Sequence, residues 1–204
     1  MSIITYPLNG ITYDADDVQT YLCTRTSGVY YDTDCFDISI TGDMEVTISP
    51  GLAWIKNTDF AGKSICSTED VALTISTGNS SYARTDRIII RFDKANSVST
   101  IEVVEGTPSS DAAAPDIEQD EYIYELGLYT IEVPKGATEL DESYITDTRS
   151  DDDVCGKMTD GVTTLEAELL FDQVYAMIEE LEAKLEETSG SLIYDESDES
   201  VTLA

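Results

Sequence analysis

The sequence predicts a mainly β protein: an antiparallel β-sandwich-like domain, then a coiled-coil-type helix, then a short terminal β-hairpin. Three observations lead there. Over residues 1–160, short runs alternate apolar with polar residues and are punctuated by Gly, Pro, Asn and Asp. From 163 to 187 the apolar period changes to three and four. After that, two short apolar runs flank an acidic turn. These changes set the boundaries: a β-rich domain over 1–160, a helical trunk over 161–188, and a hairpin over 189–204.

An early exception to the β pattern is DADDVQTYLCTR. Val18, Tyr21 and Leu22 fall at helical spacing behind acidic cap residues, which predicts a short helix. In DISITGDMEVTISPGLAWI, Ile38 and Ile40 alternate with polar residues, Gly42-Asp43 turns the chain, Val46 and Ile48 alternate again, and Pro50-Gly51 turns it back. DVALTIST repeats the period through Val71, Leu73 and Ile75. Short strands at this spacing build antiparallel sandwiches and barrels.

The chain has five arginines, and Arg84, Arg87 and Arg91 all fall in ARTDRIIIRFD. Here Ile88, Ile90 and Phe92 share one face, with Arg87, Ile89 and Arg91 on the other. SVSTIEVVEG follows a four-residue turn. A hairpin pairing Asp93 with Val98 sets Ile90 opposite Ile101 and Ile88 opposite Val103, the register that a buried face selects. Glu102 then stands opposite Ile89, diagonal to Arg87 and Arg91. The expectation is an ion-pair lattice of Arg87, Arg91 and Arg149 with Asp86, Asp93 and Asp147, supplemented by Glu102. Guanidinium forks suit such pairing better than ammonium groups.

GTPSSDAAAPDIEQDE, residues 106–121, reads as a surface loop. EYIYELGLYTIEVP is apolar on both faces, which predicts a central strand bulged at Gly127. YITDTRSDDDVCG closes the β region and places Arg149 beside Asp147.

Between 163 and 187 there is neither Gly nor Pro. Phe171, Val174, Ile178, Leu181 and Leu185 make a heptad-like seam, widened by Leu170, Tyr175 and Met177. A lone helix of this length is only partly stable in water, so its stripe must pack on something. The β domain is one partner; copies of the same helix are another. The abrupt boundary after DGVTT favours copies. The alternation of Ile and Leu does not separate dimer from trimer, while the Phe171 layer and the wide face favour a homotrimer. SGSLIYDESDESVTLA predicts a hairpin of Leu192–Tyr194 and Val201–Leu203, marginal alone.

A net charge of -31 leaves no basic stripe for a nucleic-acid backbone and none for an anionic membrane. No apolar run reaches the roughly 20 residues of a membrane span. MSIITYPLNG carries no signal-peptide pattern, so synthesis in the cytoplasm is expected. With no histidine, Ser-His and Cys-His chemistry is excluded, and the many carboxylates single out no glycosidase pair. No enzyme activity, metal or other cofactor is expected. The Asp32/Asp34/Asp37 and Asp151/Asp152/Asp153 clusters lack the pattern of a calcium loop and read as solvated loops. Cys23, Cys35, Cys66 and Cys155 read as small buried hydrophobes, with a Cys23–Cys35 bridge as the alternative. The grouped tyrosines Tyr30, Tyr31, Tyr122, Tyr124 and Tyr129 suit a β core or an interaction surface.

NGITYDADDVQTYL, MEVTISPGLAWI, RTDRIIIRFD, TIEVVEGTP, YELGLYTIEVPKGATEL and ITDTRSDDDVCG follow one another over residues 8–158. In that order and spacing they resemble the N-terminal region of baseplate and tail-tip proteins of tailed phages and prophages of Gram-positive bacteria. Some of those carry the receptor-binding module and some are upper-baseplate adaptors. The resemblance implies a β-rich virion-attachment domain, a trimeric helical trunk, and other baseplate or tail proteins as partners. It implies a location in the tail or baseplate of the virion, after synthesis in the host bacterium. The alternative is a carbohydrate- or cell-surface-binding module that grips a host cell-surface glycan through its terminal hairpin or a tyrosine-rich surface.

Overall fold

Asp14 starts the first helix by capping its open end. Its carboxylate accepts from the N–H groups of Asp16 and Asp17, while the Asp17 carboxylate accepts from the Asp14 N–H at 2.9 Å. This reciprocal box sets α1 over Ala15–Tyr21. The expected helix is present, but its expected apolar face is reversed. Val18 and Tyr21 are exposed, and Gln19 is buried, with its amide nitrogen bonded to Ala15 O and Asp16 Oδ1. Leu22, the third residue of the expected face, is half-buried.

The computed structural model describes residues 5, 8–10, 12–30, 34–159, 174–179, 181, 183–184, 192–195 and 200–203. The chain divides into two units, Met1–Asp160 and Gly161–Ala204. The first is mainly β and holds three antiparallel sheets. One has the order β1-β4-β5, from Gly28–Val29, Gly51–Thr58 and Ala61–Ser67. A second has the order β2-β3-β6, from Ile38–Gly42, Glu45–Ile48 and Val71–Thr74. The third has the order β10-β9-β7-β8, from Ile145–Asp147, Ile123–Val133, Arg84–Asp93 and Val98–Val104. All three feed one core: Val46 and Ile48, Ala53, Ile55 and Ile65, and Ile88, Ile90, Leu128 and Ile131 belong to the same buried cluster.

β7 and β9 are the paired central strands, and both are buried on two faces. The β7–β8 register is the one the apolar pattern selects: Asp93 opposes Val98, Ile90 opposes Ile101 and Ile88 opposes Val103. Against β9 the register shifts between Ile88, opposite Tyr129, and Ile89, opposite Gly127, so Leu128 is the extra residue of a bulge. Ile89 is fully buried yet lies outside the main core cluster. The 106–121 segment is the irregular, largely exposed loop expected, and it is tied along β7 and β9. Ser109 N–H donates to Ala83 O at 3.0 Å, Arg87 Nε donates to Pro115 O at 2.7 Å, and Glu118 N–H donates to Glu125 Oε2 at 2.7 Å.

Trp54 shows how closely the β4–β5 pair is fitted. A Cβ on Gly62 would stand 2.5 Å from the indole ring, which lies flat over this glycine. The Arg25 guanidinium lies 5.8 Å from the ring centroid, a cation–π distance. The four cysteines are free; Cys35 and Cys155 are buried as expected, but Cys23 is only half-buried and Cys66 is exposed. Burial pushes the Cys155 thiol up to about 12.

In the second unit, residues 174–179, 181, 183 and 184 are helical. Val174, Ile178 and Leu181 of the expected seam are exposed there, as are Tyr175 and Met177; Phe171 and Leu185 lie outside the described residues. β11 (Leu192–Asp195) and β12 (Ser200–Leu203) pair as an antiparallel hairpin with Leu192 opposite Leu203.

Trp54 is the sole tryptophan, so its fluorescence reports this contact directly. Gly62→Ala is expected to destabilise the protein by about 1–3 kcal/mol through overpacking. Denaturant unfolding followed by tryptophan emission should show the lower midpoint and a red-shifted native spectrum; an unchanged curve would mean the ring moves aside freely.

Candidate functional site

The arginines resolve into separate clusters rather than one lattice. Arg84 and Asp86 sit two apart on β7, hence on the same face. Arg84 Nε donates to Asp86 Oδ1 at 2.9 Å and Nη2 donates to Oδ2 at 3.1 Å. Its remaining reach goes to backbone: Nη1 to Thr77 O at 2.9 Å and Nη2 to Ser76 O at 2.6 Å. Asp86 Oδ1 also accepts from Gly106 N–H at 2.8 Å, and a Cβ at Gly106 would collide with Thr85 O at 2.0 Å. Arg84 is 2% exposed and Asp86 0%. The expected lattice included Asp86 but not Arg84; Asp86 pairs with Arg84, and Arg87, its neighbour on the strand, points to the opposite face. The i, i+2 spacing of Arg84 and Asp86 was the available signal.

Arg87 therefore has no carboxylate partner among the described residues. Its Nε holds Pro115 O, and its Nη1 is buried without a hydrogen bond among the described residues. Asp93 is likewise outside any lattice: its carboxylate accepts from the N–H and the side-chain amide of Asn96, fixing the β7–β8 turn. Arg91 does meet Glu102 across the hairpin, as the diagonal register suggests. Its second partner, Glu125, was missed. Arg91 Nε donates to Glu125 Oε1 at 2.7 Å, directly across from it on β9. Only the β7–β9 register reveals that pair, and the sequence does not supply it.

Arg149 makes the most extended contact. It grips Asp147 with Nε at 3.0 Å and Nη2 at 2.7 Å, donates from Nη1 to Cys35 O at 2.8 Å, and approaches Asp37 at 3.5 Å. Its guanidinium carbon lies 5.0 Å from the centroid of the Tyr129 ring. The Tyr129 hydroxyl donates to Phe36 O at 3.0 Å. Burial, chiefly, raises the Tyr129 pKa, which keeps that hydroxyl a donor. Arg149 and Tyr129 thus tie β9 and the segment after β10 to residues 35–37.

Beside this tie lies a cleft of about 380 Å³, lined by Asp37, Ile38 and Ile40 on one side and Glu142, Ile145 and Asp147 on the other. Burial acts to raise the Asp147 pKa, but the hydrogen bonds and charge of Arg149 outweigh it and leave the group below the ordinary carboxylate range. Asp93, Asp120 and Asp141 are also held low, by hydrogen bonds from Asn96, from Ile123 and Tyr122, and from Ser143. Carboxylates held in this way are poor proton donors at neutral pH. Among the described residues no three acidic or cysteine side chains converge as a metal cage. No described helix is long and apolar enough to cross a membrane. Tyr30 and Tyr122 are exposed, Tyr124 stacks on Phe92 at 6.5 Å, and Tyr31 lies outside the described residues.

No protein-family model matches the sequence, and neither a curated protein nor a solved structure matches it with significance.

The depressed Asp147 pKa fixes a sign for pH dependence. Its contribution is full above the unfolded carboxylate value and is lost as pH falls through the lower folded value. The melting temperature of the parent protein relative to Asp147→Asn should therefore narrow between pH 5 and pH 2.5. A constant difference over that range would mean that Arg149 does not hold the charged form.

Proposed function

We propose that the protein is a phage or prophage tail or baseplate structural protein, an oligomeric adaptor that links the tail to host-recognition parts. The observation that carries this reading is the set of helical residues 174–179 and 181, where Val174, Met177, Ile178 and Leu181 are all exposed in a single chain of net charge -31. So much apolar surface at helical spacing marks an association face. On this reading the seam from Phe171 to Leu185 is a homotrimeric coiled coil, the first unit a sandwich-like attachment domain, and the terminal hairpin a tip.

The ordered motifs that resemble baseplate and tail-tip proteins support the same reading. RTDRIIIRFD is β7, TIEVV is within β8, and YELGLYTIEV is within β9. Arg84, Asp86, Arg91 and Arg149, which carry much of that resemblance, are residues that hold the β unit together. The protein acts on this account as a non-catalytic part of a virion, without cofactor.

A second reading is a module that binds a carbohydrate or cell surface. Tyr30 favours it: the ring is exposed and lines a groove of about 310 Å³ with Pro50, Gly51 and Leu52. Aromatic faces beside shallow grooves suit sugar stacking. Binding of the full chain to a bacterial cell-wall glycan array, lost in Tyr30→Ala, would favour it.

Light scattering on the full chain tests the adaptor reading. The expected mass is that of three chains, falling to one in the Ile178→Glu, Leu181→Glu double variant. One chain in both samples would remove the trunk. Three chains in both would place assembly elsewhere than this seam.

A further inference from the structure

β8 is the outermost strand of its sheet and pairs with β7 alone. Just past β7, Lys94 N–H donates to Tyr122 O at 2.8 Å, towards β9. Alternation then turns the backbone groups of Asp93, Arg91, Ile89 and Arg87 towards β8, where they meet Val98, Thr100, Glu102 and Val104. The N–H and C=O groups of Ser99, Ile101 and Val103 therefore face outward. None of the six has a hydrogen-bond partner among the described residues. Seven residues in extended conformation give an edge about 23 Å long.

The other outer strands are closed or acidic. Val29 N–H donates to Gly156 O at 3.0 Å and Met158 N–H to Val29 O at 2.8 Å, which covers β1. β2 and β10 are tied to each other's neighbourhood through Arg149 and through Leu140 N–H on Asp43 O. β5 packs beside α1 with its Asp16 and Asp17, and β6 follows Glu69 and Asp70. β8 has none of the devices that blunt an edge: no Pro, no Lys and no bulge against β7. Its one charge, Glu102, is met by Arg91. In a chain of -31, this is an edge that a second copy can approach without facing an unpaired carboxylate.

We propose that β8 pairs antiparallel with β8 of a second copy, about a two-fold axis at Ile101. The outward residues then face one another, Ile101 opposite Ile101 and Ser99 opposite Val103, and all six outward groups of each copy are satisfied. Charge and the turn select this register. Glu102 falls opposite Thr100 of the other copy, a hydroxyl that already donates to Glu102 within its own chain at 3.3 Å. An axis at Glu102 would set two carboxylates face to face. An axis at Thr100 would set Val103 opposite Ser97, which lies in the turn at φ 55°. The charge on each copy keeps the contact weak in dilute solution, and salt strengthens it by screening. The inference goes beyond the trunk and does not depend on it.

The test reads amide hydrogen exchange residue by residue, by NMR on the full chain at about 0.05 mM and about 1 mM. At the higher concentration exchange at Ser99, Ile101 and Val103 is expected to slow about twofold, and further with added salt. Ser99→Pro removes an outward N–H from an exposed position that makes no bond to β7, so it should abolish the slowing and keep the native spectrum. Thr100→Glu stands opposite Arg91 in its own chain but opposite Glu102 of the second copy, and should weaken the pairing about tenfold. If Ser99→Pro disturbs the native spectrum, Thr100→Glu decides alone. The Ile178→Glu, Leu181→Glu double variant should slow at the same three amides, which separates this outcome from that of the trunk. Exchange that is independent of concentration, or slowing that a folded Ser99→Pro or Thr100→Glu leaves intact, overturns the proposal.

Discussion

The buried Arg84–Asp86 pair is the constraint on which the first unit turns. It joins three pieces of chain that are distant in sequence: residues 76–77 through the guanidinium, β7 itself, and Gly106 through the carboxylate. Two charges out of water are costly, and their attraction offsets that cost only when nearly every hydrogen-bonding position is filled. Here backbone carbonyls and one backbone N–H fill them. Such a pair contributes little net stability compared with an apolar core, but it tolerates few alternative geometries. It therefore fixes where the chain enters and leaves the central hairpin.

The local periodicities were legible, and the long-range partners were not. Ile88, Ile90, Ile101 and Val103 select one hairpin register by themselves, and β7–β8 has it. Gly127 marks the bulged region of β9 for a similar reason, because a strand apolar on both faces must be central. Glu125 is different. Nothing within EYIYELGLYTIEVP distinguishes it from Glu121 or Glu132, and only pairing of β7 with β9 brings it to Arg91. Gln19 shows a second limit: a polar residue is buried in α1 where the apolar spacing points to Val18 and Tyr21.

The acidity of the chain acts on two scales. Locally it supplies counterions for three of the five arginines: Asp86 for Arg84, Glu102 and Glu125 for Arg91, Asp147 and Asp37 for Arg149. Globally it leaves a large uncompensated negative charge, which keeps copies apart except where apolar contact prevails. The exposed Val174, Met177, Ile178 and Leu181 are the apolar side chains on which the proposed association rests.

The most direct test of this account is a double-mutant cycle on the central pair, read by urea unfolding at neutral pH. Arg84→Leu and Asp86→Leu, singly, are each predicted to cost about 3–5 kcal/mol, because each strands a buried charge. Together they should cost less than either one alone. If the double variant instead loses the sum of the two single losses, the charges do not act on each other, and the fold is organised by something other than this pair.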